Sequence, residues 1–128
     1  MSDDPRKGCI QVLIADDEAP VCQLLKEYIG LLGGKADIAR DGKRALEYLD
    51  SKRYDFVFLD FNMPELTGLE VAKYLKSKKP RPKIIMMTGY GPIDEDFAKA
   101  SGIDIYLPKP IALDDIKKIV SGEYKNGG

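Results

Sequence analysis

The residues of this chain best suited to chemistry are few. They are an acid pair, Asp16-Asp17; a carboxylate, Asp60, closing the apolar run Phe56-Val57-Phe58-Leu59; a hydroxyl, Thr88, after Ile84-Ile85-Met86-Met87; and an ammonium, Lys109, set between Pro108 and Pro110. There is no histidine, which excludes His-ligated metals, Ser-His and Cys-His nucleophilic pairs, and histidine as a general base. Chemistry must then run on carboxylates, hydroxyls, lysine and an oxygen-liganded metal. A carboxylate at the edge of a core is costly unless something pairs with it or binds it. Three carboxylates gathered in one crevice repel one another and stay ionised near pH 7 only where cations compensate them. Lys109 can supply one charge and a hard divalent ion two. An all-oxygen ligand set with positions left for water and phosphate is the Mg²⁺ pattern, with bonds of about 2.0–2.1 Å.

The elements that must gather these groups can be read from periodicity. Ile10 to Ala15 is a short apolar run stopped by Asp16-Asp17-Glu18, which predicts a strand buried on both faces. Pro20 suits the first turn of a following helix, where Val21, Leu24, Leu25, Tyr28, Ile29 and Leu32 make one apolar stripe ended by Gly33-Gly34. Lys35 to Arg40 alternates, with Ala36 and Ile38 toward one side, and predicts an edge strand; Asp41-Gly42 then turns into a helix carrying Ala45, Leu46 and Leu49. The run ending at Asp60 is the third strand, followed by a helix with Leu69, Ala72 and Leu75 inside. Lys79-Pro80-Arg81-Pro82 breaks the chain before a fourth strand, Lys83 to Thr88, and Gly89-Tyr90-Gly91-Pro92 predicts a loop before a short helix containing Phe97 and Ala98. Ile103 to Leu107 is a fifth strand, and Leu113, Ile116, Ile119 and Val120 mark a fifth helix.

Strands alternating with helices imply right-handed crossovers and an α/β fold, a doubly wound open parallel sheet with helices on both faces. Ligands of such sheets bind beyond the carboxyl ends of the strands. Asp16-Asp17, Asp60, Thr88 and Lys109 all fall at those ends.

Composition narrows the partners. At 128 residues a single domain is expected, with its core over about 10–121, a frayed N-terminus and a fraying glycine-rich tail from Gly122 to Gly128. Twenty basic against 21 acidic residues give a net charge of -1, without the basic excess that draws a protein to nucleic acid or anionic lipid. Two isolated cysteines, Cys9 and Cys22, no signal-like start and no membrane-length apolar run lead to the expectation of a reducing, cytoplasmic location. Both thiols are read as structural or incidental.

The blocks "LIADDE", "LDFNMPELTG" with its D-x-x-M-P-x-x-x-G form, "IIMMTGY" and "IYLPKPI", in this order and each at a strand end, resemble those of the response-regulator receiver domains of two-component systems. The similarity extends to the single-domain chemotaxis regulators and covers roughly Gln11 to Ser121. The resemblance implies a flavodoxin-like (βα)5 fold with strand order 2-1-3-4-5. It implies a phosphoacceptor at Asp60, which takes a phosphoryl group from the phosphohistidine of a sensor histidine kinase or histidine phosphotransfer domain, or from a small phosphodonor. Mg²⁺, with Mn²⁺ as a substitute, would be held by Asp17 directly, Asp16 mainly through water, Asp60, and the backbone carbonyl of Asn62. Lys109 would pair with the Asp60 carboxylate and later with a phosphoryl oxygen, aided by a cis Lys109-Pro110 bond. Thr88 would donate its hydroxyl to another phosphoryl oxygen, and Thr88 and Tyr106 would form the switch that alters contacts with a downstream protein. Such a protein is not a conventional enzyme, but it catalyses its own phosphorylation and dephosphorylation at Asp60.

Taken singly, each residue has an ordinary explanation: Asp16-Asp17 as helix-start acids, Thr88 as a strand end, Lys109 as a solvated charge. Two other functions compete. A receiver-like module that binds partners without phosphorylation would be favoured by loss of the acceptor, an acid or the lysine, and none is lost. A haloacid-dehalogenase-like phosphatase would want D-x-D at the first strand's end, a spacing that Asp16-Asp17 lacks.

Overall fold

The computed structural model describes residues 9–61, 63, 67–89 and 101–124. Five strands, β1 (Gln11–Ala15), β2 (Lys35–Ala39), β3 (Phe56–Asp60), β4 (Lys83–Thr88) and β5 (Ile105–Pro108), form one parallel sheet in the order β2-β1-β3-β4-β5. Among the described residues there are four helices, α1 (Ala19–Leu31), α2 (Gly42–Ser51), α3 (Gly68–Leu75) and α4 (Leu113–Ser121). The helix predicted around Phe97 and Ala98, and the loop predicted around Tyr90, lie outside the described residues, as does the tail beyond Tyr124.

The strands are buried on both faces because the sheet separates two apolar layers. Leu13, Ala15, Val57, Leu59, Ile84 and Met86 pack with Ala45 and Leu49 of α2 and Val71, Ala72 and Leu75 of α3. Val12, Ile14, Phe58, Ile85 and Met87 point the other way, onto Cys22, Leu25 and Ile29 of α1 and Ile116 and Ile119 of α4. Alternate residues along each strand thus feed opposite cores, which is why β1, β3 and β4 read as continuous apolar runs.

Two expectations are corrected here. Helix α1 is rotated toward Cys22: Cys22, Leu25 and Ile29 face the sheet, while Leu24 of the predicted stripe is 41% exposed. The small thiol lets the helix start close to β1, and its Sγ lies 3.2 Å from the Asp16 carbonyl oxygen, to which it donates. Strand β5 runs Ile105–Pro108, two residues later than expected at its start and one at its end. A proline fits there because β5 is an edge strand, and the next residue supplies the bond Pro108 cannot: Lys109 N–H donates to the Thr88 carbonyl at 2.8 Å.

Candidate functional site: an acid cluster beneath a lysine

Strand register brings the predicted groups to one edge of the sheet. Asp60 is paired with Met87, one residue short of Thr88, and Thr88 is paired with Pro108, one residue short of Lys109. Asp16 follows the last residue of β1 and is anchored by its N–H to the Ala39 carbonyl at 3.0 Å. The Arg40 guanidinium donates to the Asp17 carbonyl at 3.0 Å, so the acid loop is held by the end of β2. The start of α3 is held as closely. Thr67 caps it by accepting from Glu70 N–H, while Glu70 accepts from Thr67 N–H.

The carboxylates converge. Asp16, Asp17 and Asp60 each offer an oxygen, and these three atoms lie within 4.8 Å of one another. Asp16 is fully buried, Asp60 and Thr88 are buried, and Asp17 faces solvent. One oxygen of Asp16, Oδ1, accepts from Glu18 N–H at 2.9 Å. The other, Oδ2, is buried and receives no directed hydrogen bond; what it has is the charge of Lys109, whose Nζ is 3.0 Å away. The same ammonium lies 2.9 Å from Glu18 Oε1 and 3.6 Å from Asp60 Oδ1. Partial burial pulls Lys109 toward deprotonation, but its bond to Glu18, its close pairing with Asp16 and the charge of Asp60 outweigh this and hold its pKa above the ordinary lysine range.

A buried carboxylate oxygen without a hydrogen-bond donor, in a set of three acids with one lysine among them, fits a hard divalent cation. The donors are all oxygen, and Asp17 opens the set to water.

Sequence reasoning places Asp16, Asp17, Asp60, Thr88 and Lys109 where the structure has them. Tyr106 is half-buried on the α2–α3 side of β5, paired with Met86. Asn62 lies outside the described residues. The expected cis Lys109-Pro110 bond is present. Sequence reasoning missed Glu18. It directly follows the acid pair, where it reads as part of the acidic run that stops the first strand, and its partner Lys109 is 91 positions away. The expected pairing of Lys109 with Asp60 is the longest of its three ionic contacts among the described residues.

The model of the response regulator receiver domain family matches residues 12–121. The chain belongs to that family. Among curated relatives of this receiver domain, the response regulator MprA of Mycolicibacterium vanbaalenii is 36% identical over 108 residues, 84% of this chain. The same alignment spans 47% of that relative, so the chain covers about half the length of the curated proteins it matches. Among solved structures, the response regulator TrrA of Thermotoga maritima, in complex with Mg²⁺-BeF, is 36% identical with a TM-score of 0.79, covering 90% of this chain and 99% of that one. A CheY-like receiver domain from Methylobacillus flagellatus superposes with a TM-score of 0.81 at 28% identity, over 91% of this chain and 99% of the other. The strand order of this receiver domain and its two-layered packing are those expected from the resemblance.

Proposed function

We propose that this receiver domain is a Mg²⁺-dependent phosphoacceptor switch, modified at Asp60 by the phosphohistidine of a sensor histidine kinase or histidine phosphotransfer protein. The observation that carries this reading is the placement of Asp60: a buried carboxylate at a strand end, in one cluster with Asp16 and Asp17 and 3.6 Å from the Lys109 ammonium.

In the transfer, an Asp60 carboxylate oxygen forms a bond to phosphorus while the P–N bond of the donor imidazole breaks. The electron pair leaves with the imidazole nitrogen, and Asp60 becomes an acyl phosphate. Such a transfer asks for in-line positioning and for charge compensation on the equatorial oxygens rather than for covalent help. Lys109 is placed to neutralise one phosphoryl oxygen, and the Thr88 hydroxyl to donate to another. Asp16, Asp17 and Asp60, with the Asn62 carbonyl by the family pattern, would hold Mg²⁺, which supplies charge compensation at the phosphoryl group when bound; Mn²⁺, another hard oxygen-liganded ion, is expected to substitute. The Mg²⁺-BeF complex of the Thermotoga maritima relative supports this reading. Attack of water on the acyl phosphate returns Asp60 to its carboxylate.

The signal would follow from Thr88 moving to the phosphoryl group and Tyr106 turning inward behind it, which changes the surface offered to a downstream protein. Driving such a switch from about 1:99 to 99:1 takes roughly 5.5 kcal/mol of preference for one state. Contacts are with protein rather than nucleic acid or membrane; no helix among the described residues is long and apolar enough to cross a bilayer. A cytoplasmic location belongs to the same reading.

The test is intact mass after incubation with Mg²⁺ and acetyl phosphate or phosphoramidate, with an active receiver domain as control. Wild type should gain one phosphoryl group only when the metal is present, and Asp60→Asn should gain none. A wild type that binds no Mg²⁺ and gains no adduct would leave a phosphorylation-independent interaction module in its place.

A further inference from the structure

Lys109 presents three N–H donors to three carboxylates, and they are not equivalent. Its Nζ is 2.9 Å from Glu18, 3.0 Å from Asp16 and 3.6 Å from Asp60. Asp16 and Asp60 belong to the acid cluster; Glu18 does not. The Glu18 side chain is 60% exposed against 16% for Lys109, so Glu18 stands at the mouth of the site and takes the shortest of these contacts with the ammonium. Glu18 is also the N-cap residue of α1, yet its side chain makes no capping bond. The carboxylate that local structure would use on the helix is spent instead on a residue from the far end of the chain.

This matters because an ammonium and a divalent cation want the same oxygens. A lysine settled between Asp16 and Asp60 would satisfy the buried Oδ2 and repel an incoming ion at short range. A lysine shared with a rim carboxylate pairs with Oδ2 at 3.0 Å without a directed hydrogen bond and stands off Asp60 at 3.6 Å, as it does here.

We propose that Glu18 is a positioning residue for the metal site: it holds the Lys109 ammonium off Asp60 and so keeps the Asp16–Asp17–Asp60 cluster open to a divalent cation. The inference rests on the metal site of the reading above and not on phosphoryl transfer. Without Glu18, the ammonium keeps Asp16 and Asp60 as its ionic partners among the described residues and moves toward Asp60.

The experiment is calorimetric titration of the full chain with MgCl₂, for wild type, Glu18→Gln, Glu18→Asp, Lys109→Met and the Glu18→Gln/Lys109→Met double variant. Thermal midpoints in EDTA check folding, and Glu18→Ala stands in should Glu18→Gln unfold. Glu18→Gln is expected to weaken Mg²⁺ binding three- to tenfold. Glu18→Asp, which keeps the charge but loses the reach to Lys109, should weaken it similarly. In the Lys109→Met background, Glu18→Gln should change nothing, since there is no ammonium left to hold. Unchanged affinity in Glu18→Gln would overturn the proposal. So would wild-type affinity in Glu18→Asp, or a loss that persists without Lys109, because either would mean that Glu18 acts only as a nearby charge. Should these titrations behave as expected while wild type gains no phosphoryl group, the phosphoacceptor reading falls and the role of Glu18 stands.

Discussion

Gly68 sits directly against the backbone of Asp60: a Cβ on Gly68 would stand 2.2 Å from the Asp60 carbonyl oxygen and 3.1 Å from the Met86 sulfur. The first residue of α3 thus packs on the peptide that carries the Asp60 carboxylate. The glycine of the D-x-x-M-P-x-x-x-G block is explained by this approach rather than by a turn.

Gly68→Ala must push α3 away from β3, since backbone cannot yield as a flexible side chain does. Overpacking of this kind costs about 1–3 kcal/mol. A loss of that size in denaturant unfolding is expected, with at least a tenfold drop in phosphoryl uptake at Asp60 because the carboxylate moves relative to Asp16 and Lys109. Unfolding and intact-mass time courses check both, and wild-type uptake would show that the packing does not position Asp60.

Lys109→Met removes the cation nearest the buried Asp16 oxygen and leaves three acids to repel one another. In EDTA the variant should be less stable by about 1–3 kcal/mol, the cost of a buried polar group left unsatisfied. Mg²⁺ binds the folded cluster and replaces the lost charge, so added metal should raise the thermal midpoint more in the variant than in wild type. Scanning calorimetry with and without Mg²⁺ decides this, and equal midpoint shifts in the two proteins would count against it.

Cys22 gives an alkaline prediction. Burial, then the negative charge of Asp16, push its thiol from an ordinary 9.0 up to about 11. The folded state therefore keeps the proton that the unfolded chain releases. The stability this contributes is complete below pH 9 and lost as pH rises through about 11. Denaturant midpoints between pH 8 and 11 should fall more steeply for wild type than for Cys22→Ala; parallel slopes would show that other groups set the alkaline limit.

Asp37 gives the acid counterpart. Burial alone would raise its pKa, but the Tyr54 hydroxyl at 2.6 Å and Lys52 at 2.9 Å bond its carboxylate and hold it below the ordinary range. The contribution is present above the unfolded value of about 3.9 and lost as pH falls through the depressed folded value. Tyr54→Phe should cost about 0.5–1.5 kcal/mol at pH 7, and the difference from wild type should shrink toward pH 2. Urea unfolding at both pH values measures it; an undiminished difference at low pH would mean that packing of the ring, not the bond, is responsible.

Much of the fold was legible in the chain because both periodicities are local. Runs such as Val12–Ala15, Val57–Leu59 and Ile84–Met87 are buried on both faces and announce a covered parallel sheet, and the acids, the threonine and the lysine follow those runs directly. A carboxylate or ammonium next to such a run cannot enter the core, so it must stand at the strand end, and parallel strands put all those ends on one edge. Tertiary structure decided what depends on separation through space. The rotation of α1 that buries Cys22 and leaves Leu24 outside comes from how closely the helix seats on β1, and a stripe of apolar residues does not specify that to within a residue. The approach of Gly68 to Asp60 is a contact between residues eight positions apart that belong to different elements. The sharing of Lys109 among Asp16, Glu18 and Asp60 joins residues up to 93 positions apart. It depends on differences of less than 1 Å between ion pairs, set by packing against both faces of the sheet rather than by spacing along the chain.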